Sequence, residues 1–381
     1  MLYNEKDRVQ AVEPVISLTK SLPDEKKLSF KLVLDSLTGA SPNGALPTNQ
    51  VQTFTRPSGH GSYDIKAGDA PLDDTFKDTR GAFSVQWEQP LDRLLSVSAG
   101  VNISAEYDYQ SLGTNASIAR DFNQKNTTAS VGFAYSSDTI EPEGDIPLPF
   151  SSMVAAGTTQ PRQGTNDSKT VLDLLFGVTQ IINRKTLMQV NYSYSKSDGY
   201  LTDPFKLLSV VDATTGETLD YVYENRPDTR VKNSIFWKTK YFRDSGHVID
   251  VSYRFMKDDW EITSHTVDFH YRWPFGELQY IEPHLRYYTQ DEADFYTHSL
   301  ISDSSLPVDA SNDPRLGSFV GTTIGVKYGL TLAGGAELSF RLESYQQKGD
   351  IVGQVIGQQA NQDLFPDLDA IIAQVSYSFR W

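Results

Sequence analysis

The chain contains no cysteine. Disulfides, thiolate metal sites and covalent C-x-x-C-H haem attachment are therefore excluded. It also lacks any apolar run near the roughly 18 residues that a membrane-spanning helix needs, and hydrophobic residues make up only 39% of its 381 positions. A helical membrane protein is excluded as well. Methionine is scarce at 4 residues, while tyrosine and phenylalanine number 20 and 19; aromatics at this level suit strands and interfacial girdles better than helices. Positive charge is in deficit: 34 Lys and Arg against 49 Asp and Glu give a net charge of −15, the wrong sign for a surface that binds nucleic-acid phosphates. The glycines of Gly39 to Gly44 are followed by no Gly-Lys-Ser/Thr, so this segment is not a P-loop. Met1-Leu2-Tyr3-Asn4 has neither the charged start nor the apolar core of a signal peptide, and an exported form is expected to begin upstream of this numbering.

What is present is period-two alternation. In the closing stretch, Ile371, Ala373, Val375, Tyr377, Phe379 and Trp381 fall on one face of a strand, with Gln374, Ser376, Ser378 and Arg380 on the other. A strand that is greasy on one face, wet on the other and tipped by aromatics resembles the C-terminal sorting signal of bacterial outer-membrane barrels, which places the signal on Tyr377, Phe379 and Trp381. The cleanest run is Leu95 to Tyr109, apolar at Leu95, Val97, Ala99, Val101, Ile103, Ala105, Tyr107 and Tyr109. Similar limbs recur along the chain, separated alternately by tight turns such as Gln89 to Arg93 and by long polar loops. The loops are expected at about 36–80, 138–168, 196–229, 291–317 and 346–367.

About fifteen strands are countable, and single-chain bacterial barrels usually have an even number whose last member runs down to the periplasm. Counting back, Met1 to Asn4 becomes the upper end of a first upward strand, truncated in this numbering, with its turn at Glu5 to Asp7. The expected fold is all-β: one transmembrane antiparallel up-and-down barrel of about 16 strands over residues 1–381, with long extracellular loops and short periplasmic turns. Its expected location is the bacterial outer membrane, and its expected partners are the lipid bilayer and the barrel assembly machinery.

Several segments resemble an outer-membrane barrel family catalogued as domain of unknown function 3570 (DUF3570). They are Tyr3 to Val9 with Val12-Glu13-Pro14, Asp35 to Ala45 (D-S-L-T-G-A-S-P-N-G-A), Arg120 to Asn123 with Lys125 to Thr128, Leu201 to Asp212, Glu224 to Arg230, and Pro283 to Tyr288 with Ala293 to Tyr296. The resemblance implies a signal peptide and an upstream strand segment. It also implies neighbours of three kinds: a small lipoprotein, a thioredoxin-like protein and a flavin transferase. A role in envelope redox traffic follows from it as an expectation, with a small lipoprotein or other periplasmic redox partner; it supplies no catalytic residues.

The strand faces opposite the apolar ones collect charge of both signs, including Glu106, Asp108, Lys238, Asp250, Arg254, Arg272, Arg286 and Arg341. These are the expected lumen charges. Across the Pro274 to Glu277 turn, His270 and His284 can meet on adjacent antiparallel strands, with Asp268 and Glu282 as companion carboxylates, which makes a candidate metal set. Oppositely charged residues pairing across a polar lumen account for the same pattern without a metal. Two acidic loop runs, Asp69, Asp73, Asp74 and Asp78, then Asp138, Glu141, Glu143 and Asp145, offer oxygen ligands for calcium but no EF-hand spacing. No other cofactor is expected. His247, His265, Ser252 and Ser264 are the residues for a barrel-embedded hydrolase, and no nucleophile motif accompanies them. The expected function is a gated or occluded conduit or scaffold for a trans-envelope redox or small-solute system. A general diffusion porin and a barrel-embedded enzyme remain as alternatives.

Overall fold

The computed structural model describes residues 1–380, apart from the side chains of residues 75 and 76. Strong alternation has produced antiparallel strands joined consecutively into one sheet. The first four are β1 (Leu2–Glu5), β2 (Gln10–Val12 continued by Val15–Ser21), β3 (Lys27–Pro42) and β4 (Leu72–Pro90). Next come β5 (Leu95–Ala105), β6 (Tyr109–Phe122), β7 (Thr127–Ile140) and β8 (Asp167–Asn183). They are followed by β9 (Thr186–Gly199), β10 (Thr229–Phe242), β11 (Val248–Asp258) and β12 (Thr263–Phe275). The last four are β13 (Gln279–Gln290), β14 (Phe319–Thr331), β15 (Glu337–Gly349) and β16 (Leu368–Ser378). The sheet holds seventeen segments, but the two parts of β2 both pair with β3, so the strand positions number sixteen. Pro14 marks the break in β2, since it has no N–H to give to the ladder.

Closure comes from β1, which pairs with β16 from Leu2 opposite Ala373 to Glu5 opposite Ala370. The first residues thus take the position that strand parity assigns to them. The long-loop ends of the strands extend well past the roughly 9–11 residues a bilayer requires, with 16 residues in β3 and 19 in β4. Alternation then sorts the side chains. Val101, Ile103, Phe133, Ile235, Val267, Leu285, Ile324 and Leu342 are exposed on the outer face, as a lipid-facing band must be.

Several boundaries differ from the sequence reading. Asp35–Pro42 and Leu72–Arg80 belong to β3 and β4, so the first long loop shrinks to 43–71. The other four become 141–166, 200–228, 291–318 and 350–367. The run Leu95 to Tyr109 is interrupted: β5 stops at Ala105, Glu106 N donates to Tyr109 O at 2.7 Å, and β6 starts at Tyr109. Apolar and polar residues keep alternating through this turn, which is why the reversal left no mark in the pattern. The closing strand is Leu368–Ser378 rather than Ile371 to Trp381; Trp381 lies outside the described residues. Tyr377 and Phe379 are exposed, and their rings stack 5.5 Å apart.

The outer band sets a depth-dependent expectation. Leu342→Arg, at mid-height on β15, should cost about 2–4 kcal/mol of folded barrel, and Phe379→Arg near the short-turn end about 0–1 kcal/mol. Urea titration of heat-modifiable mobility in lipid vesicles reads both, and equal costs at the two positions would contradict the assigned faces and depth.

Candidate functional site

The five long loops fold together into a cap across one end of the barrel. Short strands form within it: Gln52–Thr55 pairs with Ser62–Ile65, and Ile146–Pro147 with Arg162–Gly164. Leu207–Val211 pairs antiparallel with Thr218–Tyr223 and parallel with Ser299–Ile301, so two separate loops share one small sheet. The three clusters of buried apolar side chains lie in the cap or where it meets the strand ends. One gathers Trp260, Ile262, Tyr296, Leu316, Phe319 and Phe365; a second Leu208, Val222, Leu300 and Ala310; a third Ala45, Phe54 and Leu207. Phe54 is fully buried, 4.8 Å from the Tyr221 ring and 5.5 Å from the Tyr63 ring.

The segment after β3 docks on the cap through its backbone. Leu207 N donates to Asn43 O at 2.7 Å, Asn312 Nδ2 to Gly44 O at 2.7 Å, and Leu46 N to Ser209 Oγ at 2.9 Å. Gly44 has φ +92°, and a Cβ there would lie 2.5 Å from Leu207 O, so the approach needs glycine.

A buried ion network ties two loops, 200–228 and 291–318. Arg226 Nη2 donates to Asp313 Oδ2 at 2.8 Å, and its Nε lies 2.6 Å from Glu224 Oε1 in an ion pair that lacks hydrogen-bond alignment. Arg315 Nη2 reaches Asp203 at 2.6 Å, its Nε donates to Asp313, and Ser311 Oγ donates to Glu224 at 2.5 Å. Burial works to raise the Asp313 pKa, but the charges of Arg315, Lys206 and Arg226 outweigh it and hold the carboxyl well below the usual range. Glu224 goes the other way: burial raises it, and Arg226 does not fully compensate. Sequence reading missed this network. Its members sit in E-N-R and N-D-P-R strings, mixed-charge loop segments with nothing periodic to mark them.

Beneath the cap lies a chamber of about 660 Å3, lined from the barrel rim by Asp78, Asp108 and Phe319 and from the cap by Tyr63, Lys206 and Arg315. On the rim, carboxylate oxygens of Asp78, Glu106 and Asp108 lie within 4.8 Å of one another. Burial, then the hydrogen bond and the charge of Asp78, push Glu106 up to about 7. Arg80 stands 3.9 Å from Glu106 while its Nε donates to Asp35 at 2.6 Å. Neither acidic loop run forms a cluster among the described residues. Asp78 alone joins a group, and Asp138 accepts hydrogen bonds from Tyr109 at 2.5 Å and Ser111 at 2.7 Å.

Along the polar inner face, Asp250 pairs with Lys238 at 3.0 Å and Lys240 at 3.2 Å. Arg254 lies 5.5 Å from the Phe236 ring centroid, Arg272 lies 3.5 Å from that of Tyr280, and Arg341 stands 3.7 Å from Glu343. Arg286 is the direct cross-strand neighbour of Asp268.

His270 and His284 also pair directly, on β12 and β13, with their rings parallel at 4.1 Å. Asp268 takes both Nε2 atoms, at 2.9 Å from His270 and 3.1 Å from His284. The Nδ1 atoms face separate carboxylates: Glu282 at 3.5 Å from His270 and Glu343 at 2.8 Å from His284. Glu343 reaches His284 from two strands away because Gly325 stands between them on β14; a Cβ there would come within 2.5 Å of the Glu343 side chain. The ladder beside the pair skips the positions where Pro283 has no N–H to donate. The hydrolase candidates do not assemble. His247 and His265 bond Tyr271 and Tyr253, each at 2.8 Å, on the outer face, whereas Ser252 and Ser264 point inward.

The family model described as "Protein of unknown function (DUF3570)" matches residues 1–379. No curated protein matches the sequence. Among solved structures, the siderophore receptor PirA from Acinetobacter baumannii superposes with a TM-score of 0.48 at 7% identity, over 99% of this chain and 56% of that one. A mutant of the ferric enterobactin receptor PfeA from Pseudomonas aeruginosa gives 0.47 at 7% identity, over 99% and 58%. The outer membrane transporter YddB from Escherichia coli gives 0.40 at 10% identity, over 90% and 55%. The chain thus spans between 55% and 58% of the length of these structures.

The rim carboxylates generate a pH expectation. A carboxyl whose folded pKa is raised binds its proton more tightly in the folded state, so folded stability falls as pH rises from the unfolded value near 4.5 through about 7. Glu106→Gln should raise stability at pH 8 by about 1–2 kcal/mol and leave it nearly unchanged at pH 4. Thermal unfolding in detergent at the two pH values measures this, and an equal gain at both would refute the raised pKa.

Proposed function

Since the chain belongs to the DUF3570 family, whose description assigns no activity, we propose from its geometry that it is an outer-membrane conduit occluded at its external mouth. The observation that carries the reading is the cap. Five loops converge on one end of a sixteen-strand barrel with their own buried apolar clusters, and a protein interior of this kind resists the casual opening of a flexible loop. A barrel of this strand number is wide enough for an aqueous channel. Its inner wall carries paired charges of both signs, which suits passage or housing of a small solute or a peripheral carrier better than selection of one ionic sign.

On this reading the Arg226, Glu224 and Asp313 network is the latch. The chain then acts as a conduit or scaffold; the hydrolase candidates His247 and His265 face outward while Ser252 and Ser264 face inward. With no cysteine of its own, it would leave electron-carrying groups to a periplasmic or lipoprotein partner, the kind of neighbour that the family resemblance suggests.

The intact barrel in a planar bilayer should show low basal conductance. Arg226→Gln leaves Glu224 buried without its cation, while Asp313 keeps Arg315, at a cost of about 3–5 kcal/mol to the cap, and should raise the conductance several-fold without loss of heat-modifiable barrel. Large, steady, ohmic conductance from the intact protein, unaltered by Arg226→Gln, would make it a general diffusion porin.

A further inference from the structure

We infer that His270, His284 and Asp268 form a binding site for one divalent first-row transition-metal ion on the lumen wall, with Glu282 and Glu343 orienting the two imidazoles. The geometry has the parts such a site requires. Both Nε2 atoms and the Asp268 carboxylate converge, their ligand atoms lying within 4.8 Å of one another. Binding one metal at ordinary distances of about 2.0–2.2 Å requires the two rings, parallel at 4.1 Å without it, to turn toward each other until both Nε2 lone pairs aim at one point beside Asp268. Each Nδ1 faces a carboxylate of its own, at 3.5 Å and 2.8 Å. That is the arrangement by which metal-bound histidines are held in one tautomer and made better ligands.

A purely structural ion-pair cluster accounts for these contacts less well. All four imidazole nitrogens face carboxylate oxygens, and ionised carboxylates only accept. Without an ion, satisfying all four contacts takes two doubly protonated rings stacked face to face at 4.1 Å. One divalent cation at the two Nε2 atoms brings the same two charges, removes the stacked like charges and leaves each Nδ1–H donating to Glu282 or Glu343. The surrounding cations do not take these roles: Arg286 lies opposite Asp268 in the sheet, Arg272 stands over the Tyr280 ring at 3.5 Å, and Arg341 stands 3.7 Å from Glu343.

Two features show that the wall is shaped around this group. Gly325 removes the side chain that would block Glu343 from His284. The histidine side chains are only 25% and 12% exposed, so the site is recessed yet open to the lumen. Two imidazoles and one carboxylate favour zinc, cobalt, nickel or copper over calcium and magnesium, which prefer oxygen alone. Coordination positions left open toward the lumen would make the ion exchangeable, a station on the wall and not a buried structural clamp. The inference stands whether or not the cap opens.

Cobalt(II) is the probe. The folded barrel in detergent, titrated with Co2+, should develop visible d–d absorbance saturating at one equivalent, and Zn2+ should abolish it. The double variant His270→Gln/His284→Gln should lose this binding, and Glu343→Gln should weaken it about 10–100-fold. His247→Gln and His265→Gln, on the outer face, should leave it unchanged. If the double variant does not fold, Zn2+ protection from diethylpyrocarbonate is mapped on the unaltered protein by mass spectrometry, with His270 and His284 expected to be the protected residues. Absence of saturable Co2+ absorbance, binding retained in the folded double variant, or no protection of His270 and His284 would each overturn the assignment.

Discussion

In hydrocarbon no water is available to an unpaired peptide group, and every N–H and C=O must find its partner inside the protein. The architecture of this chain follows from that requirement. Sixteen strand positions close on themselves because an open edge would leave a row of unmet donors and acceptors, and the four residues of β1 supply the closing pairs to β16. Pro14 sits at the break in β2 and Pro283 beside the interruption of the β12–β13 ladder, while Pro274 is held next to the end of β12. Period-two alternation then faces lipid with one half of the side chains and the lumen with the other.

This inverts the usual placement of the hydrophobic core. The strands spend their leucines, valines and phenylalanines on the outside, and the buried apolar clusters form in the cap and at its junction with the strand ends. In water the cap behaves as a small soluble domain does, burying Phe54, Leu208 and Trp260 for the ordinary hydrophobic reason. The chamber lies where the two regimes meet, lined by charges of both signs from the barrel rim, among them Asp78, Asp108 and Lys77, and from the cap, among them Asp203, Lys206 and Arg315.

The barrel was legible in the sequence because alternation is a local signal. Strand number, the place of Met1 to Asn4 and the direction of the loops could all be read from periodicity and parity. The turn at Glu106 to Asp108 was not, because Tyr107 continues the apolar rhythm through the reversal. Asp35 to Pro42 reads as loop because Gly39 and Pro42 are poor strand formers, and the ladder on both sides overrides that preference. The meeting of His270, His284, Asp268 and Glu282 is legible as adjacency across one hairpin. The part of Glu343 is not legible there, because its contact with His284 spans three strands and depends on an unremarkable glycine. The cap network was hidden for the same reason in stronger form: which loop touches which is decided by the closed barrel and by no local pattern.

The wiring of the cap also bears on the order in which the molecule assembles. Asn312 bonds the backbone of Gly44, 268 residues earlier, and Asn49 bonds Gln358, 309 residues later. Joining such distant points in a free chain carries a large loop-closure entropy. Once the wall has zipped, the effective separation is only the width of the barrel mouth. Contact order therefore places the cap last among the folding events and the hairpins first, and the mouth stays open until insertion is complete.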